Sequence, residues 1–392
     1  MHLAHLALTN FRTFRRLELD LQPGLHVITS GNALGKTNLL EAITLLATAR
    51  SFRAGRDVEM IAWDALAEDP LPAAGLSARV ETAGDPVALD VAVIARRGDH
   101  GAPERAGATT ASRRFRVNGV ARRASDLIGR LRVVMFGADD LRIIGGPPAG
   151  RRRYLDITIS QFDPSYVRAL QRYSRVLQQR NSLLRRLQDR RAAPTEIDFW
   201  DEELAAAGAV AMLARARTLT ALGKDAAARH AELAPSGRRF EVCYRPAVPA
   251  ELAESVTEPR LAERLRSVFE EQRAADIQAG VTRTGPHRDD IAFLLDGHDA
   301  GAFASRGEQR TAGLALRLAE VALSTRRTSD PPLLLLDDIL SELDVERREH
   351  VLAIAHDVDQ VIITSPDEDR PARGDLPDAR RYQIRDGDVL PV

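Results

Sequence analysis

Two short segments near opposite ends of the chain carry residue types that together could bind a nucleoside triphosphate and magnesium. The first reads Ser30-Gly31-Asn32-Ala33-Leu34-Gly35-Lys36-Thr37, and the second is a run of four leucines that ends in Asp337-Asp338. A lysine and a hydroxyl after a glycine suit phosphates and their cation, and a carboxylate at the end of a strand suits the same cation. The two predicted halves of the site, at Thr37 and Asp337, are 300 positions apart.

The first segment stands where a phosphate-binding loop is expected, between a strand and a helix. The apolar run 25–28 predicts a buried strand, and the apolar positions at helical spacing afterwards are Leu39, Leu40, Ala42, Ile43 and Leu46. Backbone N–H groups and the dipole at such a helix start attract an anion. We expect Lys36 to reach the β- and γ-phosphates as a catalytic residue, and Thr37 to ligate magnesium. The predicted ATP-binding loop residues are Ser30, Gly31, Asn32, Ala33, Leu34, Gly35, Lys36, Thr37 and Asn38.

One position departs from the pattern G-x-x-x-x-G-K-[ST], because Ser30 stands where the first glycine is expected. We expect Gly31 to take up part of the turn. A glycine-rich turn that merely precedes a helix is the alternative. The chain has 55 Lys plus Arg but only two lysines, Lys36 and Lys224. A lysine at the one position that takes a compact point charge favours the phosphate loop.

The leucine run predicts a buried parallel strand, since it is too short to span a membrane. At its carboxyl end, Asp337 would hold Mg²⁺ directly or through water. Asp338 would lie beside the γ-phosphate and orient or deprotonate the attacking water, which makes it the second predicted catalytic residue. A strand that ends in a solvated turn is the alternative, and the phosphate loop elsewhere in the chain disfavours it.

A third segment lies 32 residues before Asp337 and opens a predicted helix; it reads Ser305-Arg306-Gly307-Glu308-Gln309. Taken alone it is a helix start with Ser305 as its N-cap. With Ser341-Glu342-Leu343-Asp344 after the leucine strand, the order resembles the signature motif, Walker B strand and D-loop of ABC-type ATPases. The resemblance implies that Ser305 and Gly307 cap the γ-phosphate held by a second subunit. It also implies D-loop roles for Ser341 and Asp344, and an ATP-dependent homodimer.

The long interval between phosphate loop and signature motif resembles the SMC-like DNA-repair branch, and within it the RecF family of recombination mediators. The fragments that carry this resemblance are 10–12, 35–43, 51–53, 146–147, 151–156, 285–290, 305–311, 336–338 and 341–344. It implies ATP and Mg²⁺ as cofactors and double-stranded or gapped DNA as partner. It further implies loading of RecA on single-stranded gaps with RecR and RecO, in replication, recombinational repair and the SOS response. Arg12 is a nucleotide contact by this resemblance alone.

Two departures from ABC transporters bear on the mechanism. Asp338 replaces the usual glutamate, and Thr364-Ser365 stand where the switch histidine is expected. Both favour a weak ATPase in which slow hydrolysis releases the complex. A transporter ATPase subunit, a structural SMC-like tether and a small-molecule kinase are the competing hypotheses. The large insertion disfavours a transporter subunit, and the shortness of the predicted arm disfavours a structural tether. The lack of an acceptor site disfavours a kinase.

The predicted fold is α/β: an ABC-type ATPase head assembled from N- and C-terminal segments, with an inserted, mainly α-helical arm. The predicted boundaries are 1–160 for the first head segment, 161–280 for the arm and 281–392 for the second head segment. Residues 76–135 read as β-rich, with a strand over 89–95, a loop over 97–113 and a hairpin turn at Asn118-Gly119. Helices are predicted over 164–191, from 197 into the 220s, and over 259–277.

The first predicted arm helix carries a one-sided charge pattern. At 100° per residue one face collects Arg168, Arg172, Arg175, Arg186 and Arg190. Such a stripe could follow a DNA backbone, to which Arg151–Arg153 would add, or it could be a solvated face on an arginine-rich chain. His287, beside two aspartates, invites a metal hypothesis, but no second histidine stands at ligand spacing. We favour a structural role for it.

Composition narrows the class of protein. The net charge is −1, so a DNA site must be local rather than a global basic excess. The single cysteine excludes an intramolecular disulfide and fits a reducing compartment. With neither a signal peptide nor an apolar run of membrane length, we expect a cytoplasmic protein without a membrane partner.

Overall fold

The computed structural model describes residues 1–31, 33–97, 109–137, 140–234, 237–248, 255–366, 376 and 378–392. The described strands are, in chain order, β1 (His2–Phe11), β2 (Phe14–Asp20), β3 (Gly24–Thr29), β4 (Ala73–Glu81), β5 (Val87–Arg97), β6 (Thr109–Val117), β7 (Val120–Arg122), β8 (Val133–Phe136), β9 (Phe240–Arg245), β10 (Asp290–Leu295), β11 (His298–Asp299), β12 (Leu333–Asp337), β13 (Gln360–Ser365), β14 (Arg380–Arg385) and β15 (Asp388–Pro391). The described α-helices are α1 (Lys36–Thr48), α2 (Trp63–Glu68), α3 (Ala124–Leu127), α4 (Asp140–Gly145), α5 (Pro148–Ser160), α6 (Pro164–Gln188), α7 (Ile197–Leu233), α8 (Glu258–Ala279), α9 (Ala300–Phe303), α10 (Arg306–Thr328) and α11 (Val345–His356).

The chain forms two compact units. One comprises Met1–Asp139 with Glu320–Val392, and the other Asp140–Ala319. This division differs from the predicted boundaries at 160 and 280, because 140–160 and 281–319 group with the arm helices. The reason lies in buried polar contacts within the second unit, where Arg215 of α7 pairs with Asp156 of α5 and with Asp289.

The first unit contains two six-stranded sheets with α1 between them. One sheet is antiparallel, in the order β2-β1-β4-β5-β6-β7. The other has the order β15-β14-β3-β13-β12-β8, in which β15 alone pairs antiparallel. One hydrophobic core joins apolar residues of α1 with residues of both sheets, so burial of α1 on two sides fixes where its first residue, Lys36, is placed.

Most strands predicted for this unit are present, including those before the phosphate loop and before Asp337. The loop predicted over 97–113 is partly wrong, because 109–113 belong to β6, which pairs with β5. Residues 98–108 of that prediction lie outside the described residues. The hairpin turn predicted at Asn118-Gly119 is confirmed, with both residues at positive φ between β6 and β7.

The second unit is built around α6, α7 and α8, which the sequence predicts. It is less purely helical than predicted, because β9 pairs with β10 and β11 in a three-stranded sheet. Arg180 of α6 is fully buried and pairs at 2.7 Å with both Asp201 of α7 and Asp276 of α8. A buried cation with two carboxylate partners ties the three helices into one register. Within the described residues, no helix is both long and apolar enough to cross a membrane.

Candidate nucleotide-binding site

The candidate site lies at the carboxyl edge of the parallel sheet in the first unit. Strand β13 pairs with β3 on one side and with β12 on the other. In that register Thr364 of β13 stands opposite both Ile28 of β3 and Asp337 of β12. The phosphate loop after β3 and the carboxylate at the end of β12 therefore meet at one edge, where parallel α/β sheets bind ligands.

The phosphate loop is wrapped around Lys36. The side chain is buried, and its ammonium donates hydrogen bonds to the carbonyl oxygens of Ser30 at 2.8 Å and Gly31 at 3.3 Å. Gly35 has φ +112°, and a Cβ there would lie 2.8 Å from the Thr13 hydroxyl. This position therefore requires glycine for both its backbone conformation and its close approach. The loop holds its one cation at the start of α1, the arrangement that phosphate binding needs.

The serine that departs from the expected pattern is explained by the backbone. Neither Ser30 nor Gly31 has a positive φ; the described loop residues that do are Ala33, at 65°, and Gly35. Gly31 therefore contributes no left-handed residue to the turn. Because Ser30 lies outside the left-handed region, a side chain costs nothing there in backbone strain. Asn32 lies outside the described residues, and Leu34 is half exposed.

The predicted magnesium ligands come together. The Thr37 hydroxyl lies 3.4 Å from Oδ1 of Asp337, to which it donates. Burial raises the pKa of the Asp337 carboxyl, and the neighbouring Asp338 adds to this, while hydrogen bonds from Thr364 and Thr37 oppose it. A hydroxyl and a half-buried carboxylate are hard oxygen ligands of the kind Mg²⁺ takes, along with nucleotide phosphates, so the residues fit this ion.

Asp338 follows in a left-handed conformation, with φ 54°. Its backbone N–H donates to the Thr364 hydroxyl at 3.2 Å. The same hydroxyl donates to Oδ1 of Asp337 at 2.9 Å. Sequence reasoning noted Thr364 only as the residue in place of a switch histidine and assigned it no role. The available signal was its position at the end of a strand predicted beside the site.

Arg12 lies close to the start of α1 but is held by protein groups. Its Nε and Nη2 donate to the two carboxylate oxygens of Glu41 at 2.9 and 2.8 Å, and Nη1 donates to the Glu59 carbonyl. Glu41 is fully buried on α1 and also accepts from the Ser51 hydroxyl. Nearby, Asn38 donates to Thr13. Contact of Arg12 with nucleotide stays a prediction, and the structure adds Glu41 as the residue that orients it.

The predicted signature motif lies in the second unit, at the start of α10. Ser305 and Glu308 form a capping box: the Glu308 carboxylate accepts from the Ser305 backbone and hydroxyl, each at 2.8 Å, and the hydroxyl accepts from the Glu308 N–H at 3.3 Å. These hydrogen bonds lower the pKa of Glu308. The Gln309 amide donates to three carbonyls around α9. Ser305, Arg306 and Gly307 are exposed.

The D-loop is described only in part, since the side chain of Ser341 lies outside the described residues. Asp344 is the N-cap of α11, where its carboxylate accepts from the Arg347 N–H at 2.9 Å and pairs with the Arg347 guanidinium at 2.6 Å. The capping contact gives Asp344 a structural task in addition to any role at a subunit interface.

Four of the five arginines predicted to form one helix face lie on α6. Arg168, Arg172, Arg175 and Arg186 are exposed on α6, although Arg172 pairs with Glu203 at 2.6 Å. Arg190 lies outside this helix, because α6 ends at Gln188 and Arg190 turns into the left-handed region with φ 57°. Of the three arginines that could add to the stripe, Arg151 and Arg152 bind groups of the segment 285–290.

Arg151 forms a two-pronged pair with Asp290, and Arg152 donates to the Asp289 carbonyl. Both arginines therefore belong to the hydrogen-bond network that holds the segment 285–290 in place.

The contacts of His287 support a structural role for this residue rather than a metal site. Its Nδ1 accepts from the Tyr173 hydroxyl at 2.7 Å, and Nε2 donates to the Thr282 carbonyl at 3.0 Å. Both ring nitrogens are therefore used by protein groups. Among the described residues, no three His, Cys, Asp or Glu side chains are grouped so that they could hold a metal ion.

We expect His287 to make the protein less stable in mild acid. Burial lowers the pKa of His287 to about 4, against about 6.5 for a free histidine. Between these values the unfolded chain binds a proton that the folded chain excludes, so stability falls as the pH falls. The loss from this residue between pH 6.5 and 5 should be about 1.5 kcal/mol.

Urea unfolding at the two pH values, compared with His287→Gln, measures this contribution. Glutamine can replace both hydrogen bonds without titrating, so the variant should lose that part of the pH dependence. The exposed His298, replaced by Gln, is the matched control and should retain the wild-type dependence. Equal pH dependence of wild type and His287→Gln would contradict the prediction.

Known proteins resemble this chain over nearly its whole length. The family described as RecF/RecN/SMC N terminal domain matches residues 2–375. The DNA replication and repair protein RecF of Chloroflexus aurantiacus is 43% identical over 396 residues, covering 100% of both chains. RecF of Herpetosiphon aurantiacus is also 43% identical over 396 residues, with 100% of both chains covered. RecF of Halalkalibacterium halodurans is 34% identical over 391 residues, with 99% of both covered.

Solved structures show the same fold. The recombination mediator protein RecF with ATP, of the RecFOR pathway, matches with a TM-score of 0.85 and 28% identity, covering 100% of this chain and 97% of that one. The Smc head domain derived from Pyrococcus furiosus, bound to the C-terminal domain of ScpA, matches with a TM-score of 0.50 and 18% identity, covering 100% and 96%. The fold is thus the α/β fold of RecF and of SMC heads, the ABC-type ATPase fold predicted from the sequence.

Proposed function

The chain belongs to the RecF family of DNA replication and repair proteins, and from that premise we propose that it is an ATP-gated, dimeric DNA-binding ATPase. ATP would join two copies on double-stranded or gapped DNA, and slow hydrolysis would release them. The observation that carries this proposal is the convergence of Lys36, Thr37 and Asp337 at one sheet edge. The likeness to RecF with ATP supports the choice of nucleotide.

Each residue at this sheet edge would have a different role in nucleotide binding and hydrolysis. Lys36 would exchange its two loop carbonyls for phosphate oxygens, which are stronger acceptors because they are charged. Thr37 and Asp337 would hold Mg²⁺, which when bound neutralises charge that develops on the phosphates. Asp338 would orient the attacking water. Its side chain is one methylene shorter than the glutamate of transporter ATPases, which supports slow turnover.

Gly307 supports completion of the site by a second copy. It is exposed, and the nearest atom to a Cβ built there is the Ser305 hydroxyl at 4.0 Å. Its φ is not positive, so nothing within the described chain requires glycine in this helix, where glycine costs about 1 kcal/mol against alanine. A close approach from outside would explain it, and the γ-phosphate bound by another copy is the approach we propose.

RecR and RecO are the protein partners we propose, and loading of RecA on single-stranded gaps is the proposed outcome. The support is the family and the likeness to a RecF of the RecFOR pathway. We also propose a cytoplasmic location, because the proposed function acts on DNA.

The stripe on α6 is the proposed contact with the DNA backbone. We expect replacement of Arg168, Arg172 and Arg175 by alanine to weaken duplex binding about 10-fold or more at low salt. The slope of log K against log salt should fall by about 2 to 3, since each phosphate contact contributes about 0.9. A salt series followed by fluorescence anisotropy measures both quantities.

The matched control removes three other exposed arginines of the same unit, Arg260, Arg264 and Arg266 on α8. Two of these pair with glutamates of their own helix, at 3.6 and 3.7 Å. The control changes net charge equally and should leave the slope near the wild-type value. Equal slopes for the α6 variant and the wild type would show that the stripe is a solvated face that does not contact DNA.

Sedimentation tests the proposed function. With Mg²⁺ and a non-hydrolysable ATP analogue the wild-type chain should sediment as a dimer, and with ADP as a monomer. The same monomer in both nucleotides would overturn the ATP-gated dimer.

A further inference from the structure

The Thr364 hydroxyl occupies the centre of the nucleotide edge. Its strand, β13, lies between the strand that leads into the phosphate loop and the strand that ends in Asp337. The side chain is buried, and its oxygen lies 2.9 Å from Oδ1 of Asp337 and 3.2 Å from the backbone nitrogen of Asp338. One hydroxyl thus contacts the predicted magnesium ligand and the predicted water-orienting residue.

The direction of each hydrogen bond follows from the groups. A hydroxyl has one proton to donate, and the Asp337 carboxylate is nearer than the Leu336 carbonyl, which lies at 3.3 Å. The proton therefore goes to the carboxylate, the stronger acceptor. The hydroxyl lone pair then accepts from the Asp338 N–H. Oδ1 of Asp337 receives this bond as well as the one from Thr37, and among the described residues no side chain donates to Oδ2.

The turn at Asp338 needs such support. A non-glycine residue in the left-handed region costs of order 1 kcal/mol, and it persists where neighbouring groups hold it. Thr364 supplies a bond to the backbone nitrogen of this very residue. The next residue, Ser365, accepts at 3.4 Å from the backbone of Ser30 at the start of the phosphate loop. The end of β13 therefore contacts both halves of the site.

We propose that Thr364 is a positioning residue for the nucleotide site, whose hydroxyl orients the Asp337 carboxylate toward Mg²⁺ and fixes the turn that carries Asp338. The proposal rests on the proposed function, because it takes Asp337 as the magnesium ligand. It predicts that Thr364 governs the part of nucleotide affinity that depends on Mg²⁺. The phosphate contacts of Lys36 and of the loop backbone do not involve its hydroxyl.

The test is the affinity of Thr364→Val for ATP, measured by titration with a fluorescent ATP analogue, with Mg²⁺ and with EDTA. Valine keeps the shape and loses the hydroxyl. We expect affinity in EDTA to match the wild type, and the gain on adding Mg²⁺ to fall about 10-fold, as for loss of a hydrogen bond to a charged group. Turnover at saturating ATP should also fall, while Thr364→Ser restores both the gain and the turnover.

Thr48→Val is the matched control, because Thr48 is a buried threonine of the same unit whose hydroxyl donates to the Thr44 carbonyl within α1. It should keep the wild-type gain. A wild-type gain in Thr364→Val, or a Thr364→Ser variant as impaired as the valine, would overturn the proposal. A wild-type chain that binds no ATP at all would instead contradict the proposed function, which the wild-type titration shows separately.

Discussion

Replacement of Lys36 by alanine should abolish detectable ATP binding, with affinity at least about 100-fold below the wild type. Lys36 is the one lysine in the nucleotide site, and its ammonium is already desolvated and aimed by two carbonyl acceptors. A charged hydrogen bond to phosphate in such a place is worth up to about 3 kcal/mol, which corresponds to a factor above 100. The measurement is equilibrium titration with a fluorescent ATP analogue in Mg²⁺.

The chain offers a control for this change, since Lys224 is its only other lysine. Lys224 is exposed on α7, and Lys224→Ala should bind ATP as the wild type does. Circular dichroism and the melting temperature establish that both variants fold. Wild-type affinity in a folded Lys36→Ala variant would contradict the assignment of residues 30–38 as the phosphate-binding loop.

Replacement of Gly307 by glutamate should leave ATP binding intact and eliminate the ATP-dependent dimer. The position is open, so the side chain causes no clash within its own chain, and a glutamate early in a helix is favourable to the helix dipole. In a dimer, however, the added bulk and negative charge would meet the partner's γ-phosphate. We expect dimer affinity to fall by a factor of about 100 or more, the scale of an uncompensated like-charge contact at an interface.

Gly150 provides a matched control. It is an exposed glycine in the first turn of α5, and a Cβ there also meets nothing within 4 Å. Gly150→Glu adds the same charge in the same unit and should dimerise normally with the ATP analogue. A Gly307→Glu variant that dimerises as well as Gly150→Glu would show that the signature segment does not face a second nucleotide.

The parts of the site that were predictable from sequence depend on local chemistry. Lys36, Thr37 and Asp337 sit at a strand–loop–helix junction and at a strand end, and both contexts follow from apolar patterns. Parallel strands place their carboxyl ends at one edge, so the meeting of the two halves also followed. The capping role of Ser305 followed from the preference for serine at the start of a predicted helix, whereas its pairing with Glu308 was not foreseen.

The parts that were not predictable depend on which distant segments meet. In the sequence, Arg180 is indistinguishable from the other arginines of an arginine-rich helix. In the structure it is buried, because Asp201 and Asp276 from two other helices pair with it. Strand β9 was missed because its pairing partner, β10, follows only after the long helix α8. Arg190 was misplaced because the helix end depends on a cap that periodicity does not reveal.

The exposed serine-glycine segment and the phosphate loop lead to one central claim, that ATP gates DNA binding by a dimer. The most direct test is fluorescence anisotropy on a short DNA duplex, with and without a non-hydrolysable ATP analogue, across a salt series. We predict tight binding only with the analogue, with an affinity that falls steeply as salt rises. Binding that is equally tight without nucleotide, or absent in both states, would contradict the claim.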